Sequence, residues 1–248
     1  MKQITLENLH CTTTEDTLGD DECRLEVYND GELHFAYRKD LIPERPTSWA
    51  DFWELSEKYQ GKVTMFAFDA DIMGVALLYK GYDVSTTDPA QINAAKDALI
   101  QLKPWMRAIL DTDFSKPLKQ GTAVMAIDYD YDIAAAQAEN PNIVWVNPTE
   151  GVPAYIEGWV PVKGSKNLAT TYAFMNQHLD PKMYANYINT IGAAYLMPDA
   201  EKYIKPAIKN NPSLKYDEAA ISKIGFTQFL GADATVTRTK AWQEFLNA

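Results

Sequence analysis

The sequence feature that most constrains the fold is residues 121–137, an apolar run followed by aspartates and an alanine-rich segment. Residues 123–127 have the length and composition of a β-strand. Three aspartates follow this run before a helical pattern begins: Asp128, Asp130 and Asp132. A strand that ends in carboxylates and turns directly into a helix is how α/β proteins build a ligand-binding crevice.

Two further segments repeat this design. The apolar residues 63–68 lead into Asp69 and Asp71. Residues 154–156 lead into Glu157. If the carboxyl ends of these strands converge, their acidic and aromatic side chains line one cleft.

Such a cleft suits an organic cation, because carboxylates pair with ammonium groups and aromatic faces cover the methylenes between them. The predicted ligand-binding residues are Asp69, Asp71, Asp128, Tyr129, Tyr131, Tyr155 and Glu157. The sequence predicts no catalytic residues, metal ligands or cofactor.

Each acid also has a purely structural interpretation. Asp69 and Asp130 fall where helix N-caps are expected, and capping is the favoured role for both. Asp71 falls in a first helical turn, where an acid stabilises the helix dipole. Asp128 is equally compatible with a solvated strand end, and Glu157 with an outward-facing edge residue.

The charge balance limits the classes of partner. The chain has 248 residues and a formal net charge of −11, which argues against nucleic acid or an anionic membrane surface as a partner. No apolar run reaches the roughly 18 residues of a membrane span. The N-terminus lacks the apolar core of a signal peptide.

The first part, residues 1–42, is predicted to be a short β segment. Residues 4–9, 24–28 and 33–37 each have a strand pattern. The tripeptide at residues 29–31, Asn-Asp-Gly, predicts a hairpin turn between the last two.

Two features of this segment remain open to alternatives. The loop at residues 14–22 contains five acids and could hold calcium or be solvated. Cys11 and Cys23 could form a disulfide or remain two thiols.

The remainder is predicted to be an α/β ligand-binding lobe over residues 43–162 and a helical region over residues 163–248. Ser48 with Asp51 predicts a capping box at the start of one helix. Asp88, followed by proline, predicts the start of another. The aromatic residues of the first of these helices are expected to be core.

A series of short motifs carries a family resemblance. They are Ala36-Tyr37-Arg38-Lys39-Asp40, Pro46-Thr47-Ser48-Trp49-Ala50-Asp51-Phe52-Trp53, Tyr59-Gln60-Gly61-Lys62-Val63, Gly81-Tyr82, Ser85-Thr86-Thr87-Asp88-Pro89, Gln137-Ala138-Glu139-Asn140-Pro141-Asn142-Ile143, Pro148-Thr149-Glu150-Gly151, Asp180-Pro181 and Thr190-Ile191-Gly192. Their joint order resembles the polyamine (spermidine/putrescine) solute-binding proteins of ABC transporters.

The resemblance implies an α/β fold with a periplasmic-binding-protein-like (type II) lobe, a mixed sheet, a helical C-terminal part and a short N-terminal β segment. It implies a non-enzymatic, periplasmic or secreted protein that binds a polyamine and delivers it to a membrane permease. In this resemblance, Asp69 or Asp71 and the Tyr155–Glu157 element are the cation-binding positions. Asp128 departs from the family pattern, which usually has an aromatic residue there.

The family's first lobe has no counterpart in residues 1–34, so the resemblance covers mainly the C-terminal two-thirds. A second hypothesis is therefore a non-transporting interaction or scaffold module in which ligand binding is lost. A third, a metal-dependent enzyme, lacks a nucleophile–base pair, a histidine ligand set and a Gly-rich phosphate loop.

Overall fold

The structure is a computed structural model. It describes residues 26–162, 164–211, 214, 223–228 and 230–248, with side chains from residue 31 onward. Several predicted features lie outside the described residues: the strand at 4–9, the acidic loop at 14–22, Cys11 and Cys23.

The chain divides into two units. We call Gly31–Tyr155 with Lys215–Ala248 the sheet unit, and Met1–Asp30 with Ile156–Leu214 the helical unit. The predicted boundaries at residues 42 and 162 do not coincide with this division, because two strands each run from one unit into the other.

Strands and helices alternate over most of the sheet unit. The strands are β1 Glu26–Arg38, β2 Val63–Phe66, β3 Ala108–Leu110, β4 Met125–Tyr129, β5 Ile143–Val146, β6 Val152–Trp159 and β7 Ile224–Phe226. The helices are α1 Trp49–Lys58, α2 Asp69–Tyr79, α3 Pro89–Leu102, α4 Lys116–Gln120, α5 Asp130–Glu139, α6 Leu168–His178, α7 Pro181–Ile191, α8 Pro206–Lys209 and α9 Gly231–Asn247. Single 3₁₀ turns cover Lys103–Trp105 and Pro198–Tyr203.

The sheet is mixed, with the order β3-β2-β4-β1-β6-β7 and with β5 also paired to β1. β2 runs parallel to β3 and to β4, whereas β1 is antiparallel to β4 and β5. Leu33 lies opposite Tyr129, and His34 lies opposite Asp128. Because successive strand residues point to opposite faces, this register decides which of the predicted site residues share a face.

The predicted hairpin at residues 29–31 is wrong. β1 continues without a turn from Glu26 to Arg38. Its C-terminal half pairs with β4 on one side and β5 on the other. These ladder hydrogen bonds outweigh the local preference of Asn-Asp-Gly for a turn, as tertiary pairing commonly does.

The main core of the sheet unit forms around β1, α1 and α2. Phe35, Trp49 and Phe52 are fully buried, and their ring centroids lie 5.2–6.2 Å apart. The predicted capping box is confirmed: the Ser48 side chain accepts the Asp51 N–H, and the Asp51 carboxylate accepts the Ser48 N–H. This box starts α1 so that its aromatic face meets the sheet.

A distant carboxylate also caps α1. Glu150, in the turn between β5 and β6, accepts the backbone N–H groups of Trp49 and Ala50, each at 3.1 Å. The Trp49 indole donates to the Gly151 carbonyl at 2.8 Å. Three hydrogen bonds therefore tie the start of α1 to a turn about 100 residues later in the chain.

The helical unit is built around α6, α7 and the following 3₁₀ turn. Asp180 caps α7 by accepting two backbone N–H groups at 3.0 Å, as its position before a proline predicts. Asn189 of α7 donates to the Tyr203 carbonyl and accepts the Lys205 N–H. These bonds hold the chain that follows α7 against the helix.

Candidate functional site

Two strand-to-helix turns lie side by side in the sheet unit. β2 and β4 are parallel neighbours, with Val63 opposite Met125. Their carboxyl ends are therefore at the same edge of the sheet, where α2 begins at Asp69 and α5 begins at Asp130. The two turns thus contribute side chains to one region of the unit, where Tyr129 meets Asp71.

Three tyrosines form a compact group beside these turns, which we call the tyrosine cluster: Tyr129, Tyr131 and Tyr155. The rings of Tyr129 and Tyr131 are stacked at 5.5 Å between centroids. Tyr155 meets Tyr129 edge-on at 5.7 Å and is hydrogen-bonded to Tyr131. Tyr129 is buried in the cluster, whereas Tyr131 and Tyr155 are half-buried and offer ring surface with polar hydroxyls, which suits a ligand with both cationic and apolar parts.

Asp71 is joined directly to the tyrosine cluster. The Tyr129 hydroxyl donates to Asp71 Oδ2 at 2.6 Å. Burial raises the pKa of Asp71, and this hydrogen bond partly offsets the effect. Burial also raises the pKa of Tyr129, so its hydroxyl stays protonated and donates. The result is a partly desolvated carboxylate held against aromatic rings.

Asp128 is on the other face of the sheet from Tyr129. It lies opposite His34, on the face where Ala36 and Ala126 form a small separate core. Its side chain is only 1% exposed, and its Oδ1 accepts the Tyr129 backbone N–H at 2.9 Å. The structure therefore does not bring Asp128 into the tyrosine cluster.

Asp128 and Asp132 influence each other's ionisation. Burial and then the charge of Asp132 raise the pKa of Asp128 well above its usual range. Burial also raises the pKa of Asp132. Asp128 Oδ2 is buried and has no hydrogen-bond partner among the described residues, so the site favours the protonated form of Asp128.

Asp128→Asn is expected to make folding stability less sensitive to pH. Above about pH 3.9, an unfolded Asp128 loses the proton that the folded protein keeps, so the free energy of unfolding falls as pH rises towards the raised native pKa. Asparagine has a similar shape but cannot ionise. We expect the variant to gain stability over wild type progressively between pH 4 and pH 7, measured by urea denaturation.

The matched control is Asp111→Asn, which makes the same substitution at an exposed position. It is expected to follow the wild-type pH dependence. An Asp128→Asn protein with the wild-type slope would contradict the raised native pKa of Asp128.

The expected N-cap roles of Asp69 and Asp130 are wrong. The N-cap residues are Phe68 and Tyr129, and neither makes a side-chain capping bond. Asp69 and Asp130 are each the first helical residue. Asp69 is exposed, and its Oδ1 accepts only the neighbouring Ala70 N–H, at 2.7 Å. Capping therefore does not account for these acids, although each helix dipole favours them.

Glu157 belongs to the helical unit. It is half-buried on β6, two residues before Trp159. The Trp159 ring packs against Phe174 at 5.3 Å and His178 at 5.6 Å. Within this unit, Glu157 therefore lies on the same strand as a partly exposed aromatic group.

Sequence reasoning missed several residues beside the predicted ones. Phe66 stacks on Tyr129 at 4.7 Å and also contacts Phe68 and Phe114. Arg238 of α9 interacts electrostatically with Asp69 and Asp71. The sequence signal for Phe66 was that it alternates with Phe68 in the apolar run just before Asp69. For Arg238, it was the four-residue spacing from Trp242, which places both residues on one helical face.

The described part of the chain combines a mixed α/β unit, strands shared between two units, and acids and aromatics at the ends of parallel strands. This combination is typical of α/β proteins that carry a ligand site at the carboxyl ends of their strands. The comparisons then identify the family. Residues 27–216 match the model of the bacterial extracellular solute-binding proteins, and the chain belongs to this family. Its family is one of binding proteins and not of enzymes.

Named relatives agree with this assignment. A putrescine/cadaverine-binding protein from Pseudomonas aeruginosa is 27% identical over 88% of this chain and 62% of its own length. A spermidine/putrescine-binding periplasmic protein from Salmonella typhimurium is 29% identical over 78% of this chain and 55% of its own. The chain thus spans somewhat more than half the length of these curated relatives.

Solved structures confirm the predicted fold class. A putative spermidine/putrescine ABC transporter protein from Listeria monocytogenes matches with a TM-score of 0.82 at 21% identity, over 90% of this chain and 68% of that one. A spermidine/putrescine substrate-binding protein from Streptococcus pneumoniae matches with a TM-score of 0.76 at 22% identity and the same coverage. The fold is therefore the α/β, periplasmic-binding-protein-like (type II) fold.

Proposed function

We propose that this chain binds a small organic cation of the polyamine class, such as putrescine or spermidine. The observation that carries the proposal is the 2.6 Å hydrogen bond that holds Asp71 against the tyrosine cluster. A carboxylate in this setting pairs with an ammonium group more strongly than one in water, since it is partly desolvated. The rings beside it cover a methylene chain.

The roles follow from this geometry. Asp71, with Asp69 beside it, receives an ammonium group. Tyr131 and Tyr155 flank the alkyl chain, and the buried Tyr129 orients Asp71 through its hydroxyl. Asp128 receives no ammonium contact in this proposal, because it faces the other side of the sheet and keeps its proton. Glu157 stays a separate prediction within the helical unit.

The relatives support a wider role. Their names describe polyamine-binding periplasmic proteins, and we propose the same compartment and delivery to an ABC-transporter permease for the protein that contains this chain. None of the helices in the described ranges has the length and hydropathy of a membrane span. Neither nucleic acid nor membrane insertion forms part of the proposal.

Calorimetric titration tests the function directly. Putrescine and spermidine are expected to give saturable binding, whereas 1,4-butanediol, which has the same carbon chain as putrescine without charge, is expected to give none. Bound amine should also raise the unfolding temperature, because a ligand selective for the folded state stabilises it. Equal heats for the diol and the diamine, or no saturation with either amine, would contradict the proposal.

A further inference from the structure

Arg238 is a buried cation in the sheet unit. It is 6% exposed and lies on α9, which packs against α2 and α3. The buried face of α9 is otherwise apolar and consists of Ala234, Ala241, Trp242 and Phe245. Trp242 lies one helical turn after Arg238, so the fold of α9 holds the guanidinium inside the unit.

The guanidinium is poorly satisfied where it lies. Within the described part of the chain, its Nε and Nη2 are buried and have no hydrogen-bond partner. Its electrostatic partners are Asp69 and Asp71, the two acids of the first turn of α2. Asp71 is already engaged by the Tyr129 hydroxyl, and Asp69 is exposed.

A purely structural role accounts poorly for this arrangement. Buried charges that serve stability are normally paired and fully hydrogen-bonded, because desolvating a guanidinium is costly. Here the charge is buried, two donors are unused, and the acids in range are those proposed to bind ligand. Two carboxylates and one guanidinium leave this region with one net negative charge, which one ammonium group neutralises.

We propose that Arg238 is a specificity-determining residue of the Asp69–Asp71 subsite: a built-in cation that limits the subsite to one ammonium group. This inference rests on the proposed function. The positive charge of Arg238 reduces the negative electrostatic potential at Asp69 and Asp71. Arg238 therefore lowers the affinity of this subsite for amines.

The test removes the charge of Arg238 and measures putrescine binding by calorimetry. Arg238→Gln is expected to bind putrescine about tenfold more tightly than wild type, because a like charge near the ammonium group is lost. Arg238→Met removes the same charge with an apolar chain and should agree. Arg238→Lys keeps the charge and is expected to retain the wild-type affinity.

The matched control is Lys240→Gln, which removes one positive charge from an exposed side chain of the same helix. It is expected to change affinity by no more than about twofold, because solvent and salt screen an exposed charge. Neutral Arg238 variants that bind no more tightly than Lys240→Gln would overturn the inference. So would a lysine variant that binds as tightly as the neutral ones.

Two further outcomes separate failure of this inference from failure of the proposed function. If wild type binds putrescine but neither neutral variant folds while Arg238→Lys does, Arg238 is structural and the inference is wrong. If wild type and the folded neutral variants all fail to bind putrescine, the proposed function itself fails.

Discussion

Asp71→Asn is expected to weaken putrescine binding by about 10- to 100-fold, the range expected for loss of a charge-assisted hydrogen bond in a partly desolvated setting. Asparagine has nearly the shape of aspartate and keeps an oxygen that can accept the Tyr129 hydroxyl, 2.6 Å from Oδ2 in the structure. The substitution therefore removes the negative charge while preserving the tyrosine cluster. Calorimetric titration with putrescine measures the loss.

The matched control is Asp97→Asn on α3. Asp97 has a side chain that is 71% exposed and pairs with Lys96 at 3.5 Å. The substitution removes an equal charge from an exposed side chain, and we expect wild-type affinity within about twofold because exposed charges are screened. Equal losses in both variants would mean that only net charge matters, and they would remove Asp71 from the site.

Gly31→Ala is expected to lower the free energy of unfolding by about 1–3 kcal/mol, the usual cost of overpacking a filled interior. A Cβ on Gly31 would come within 2.6 Å of Tyr155 Cε1, well inside van der Waals contact. The Tyr155 ring would therefore have to leave its place beside Tyr129. Urea denaturation measures the cost, and titration with putrescine measures the effect on the cluster.

A double-mutant cycle isolates this contact. In a Tyr155→Ala background the ring is absent, so adding Gly31→Ala should cost no more than about 0.5 kcal/mol. If Gly31→Ala is equally destabilising with and without the ring, the cause lies in the backbone of β1 and the packing interpretation is wrong.

Local rules predicted the elements whose stabilising contacts are local. The capping box of Ser48 and Asp51 needs only residues within one turn, and the N-cap of Asp88 needs only Ala90. Both helices begin where the sequence places them. The hairpin at residues 29–31 fails because β1 pairs with β4 and β5, which are about 90 or more residues away in sequence.

Gly31 illustrates how a correct residue received the wrong role. As part of Asn-Asp-Gly it predicted a turn, whereas in the structure it leaves room for the Tyr155 ring over an extended strand. A glycine in a strand can mark a turn or a place where another group approaches closely, and the sequence alone does not predict which side chain that is.

The candidate site was predictable only in outline. Strand ends followed by acids indicated the edge of the sheet at which Asp71 and Tyr129 meet, because β2 and β4 are parallel neighbours. The alternation of strand side chains separates Asp128 from Tyr129, and only the observed register shows which face holds the other tyrosines. The spacing of Arg238 from Trp242 indicates a shared helical face, but the approach of Arg238 to Asp69 depends on how α9 packs against α2.

The carboxylate of Glu150 links the start of α1 to a distant turn of the sheet unit. The Glu150 carboxylate lies in a turn about 100 residues downstream and accepts the first backbone N–H groups of α1. Fraying of this helix end therefore requires that these hydrogen bonds to the distant turn also break. Exchange of the Trp49 and Ala50 amides with solvent deuterium should therefore be slow and should accelerate together when Glu150 is truncated. Segments far apart along the chain would then open as one cooperative block.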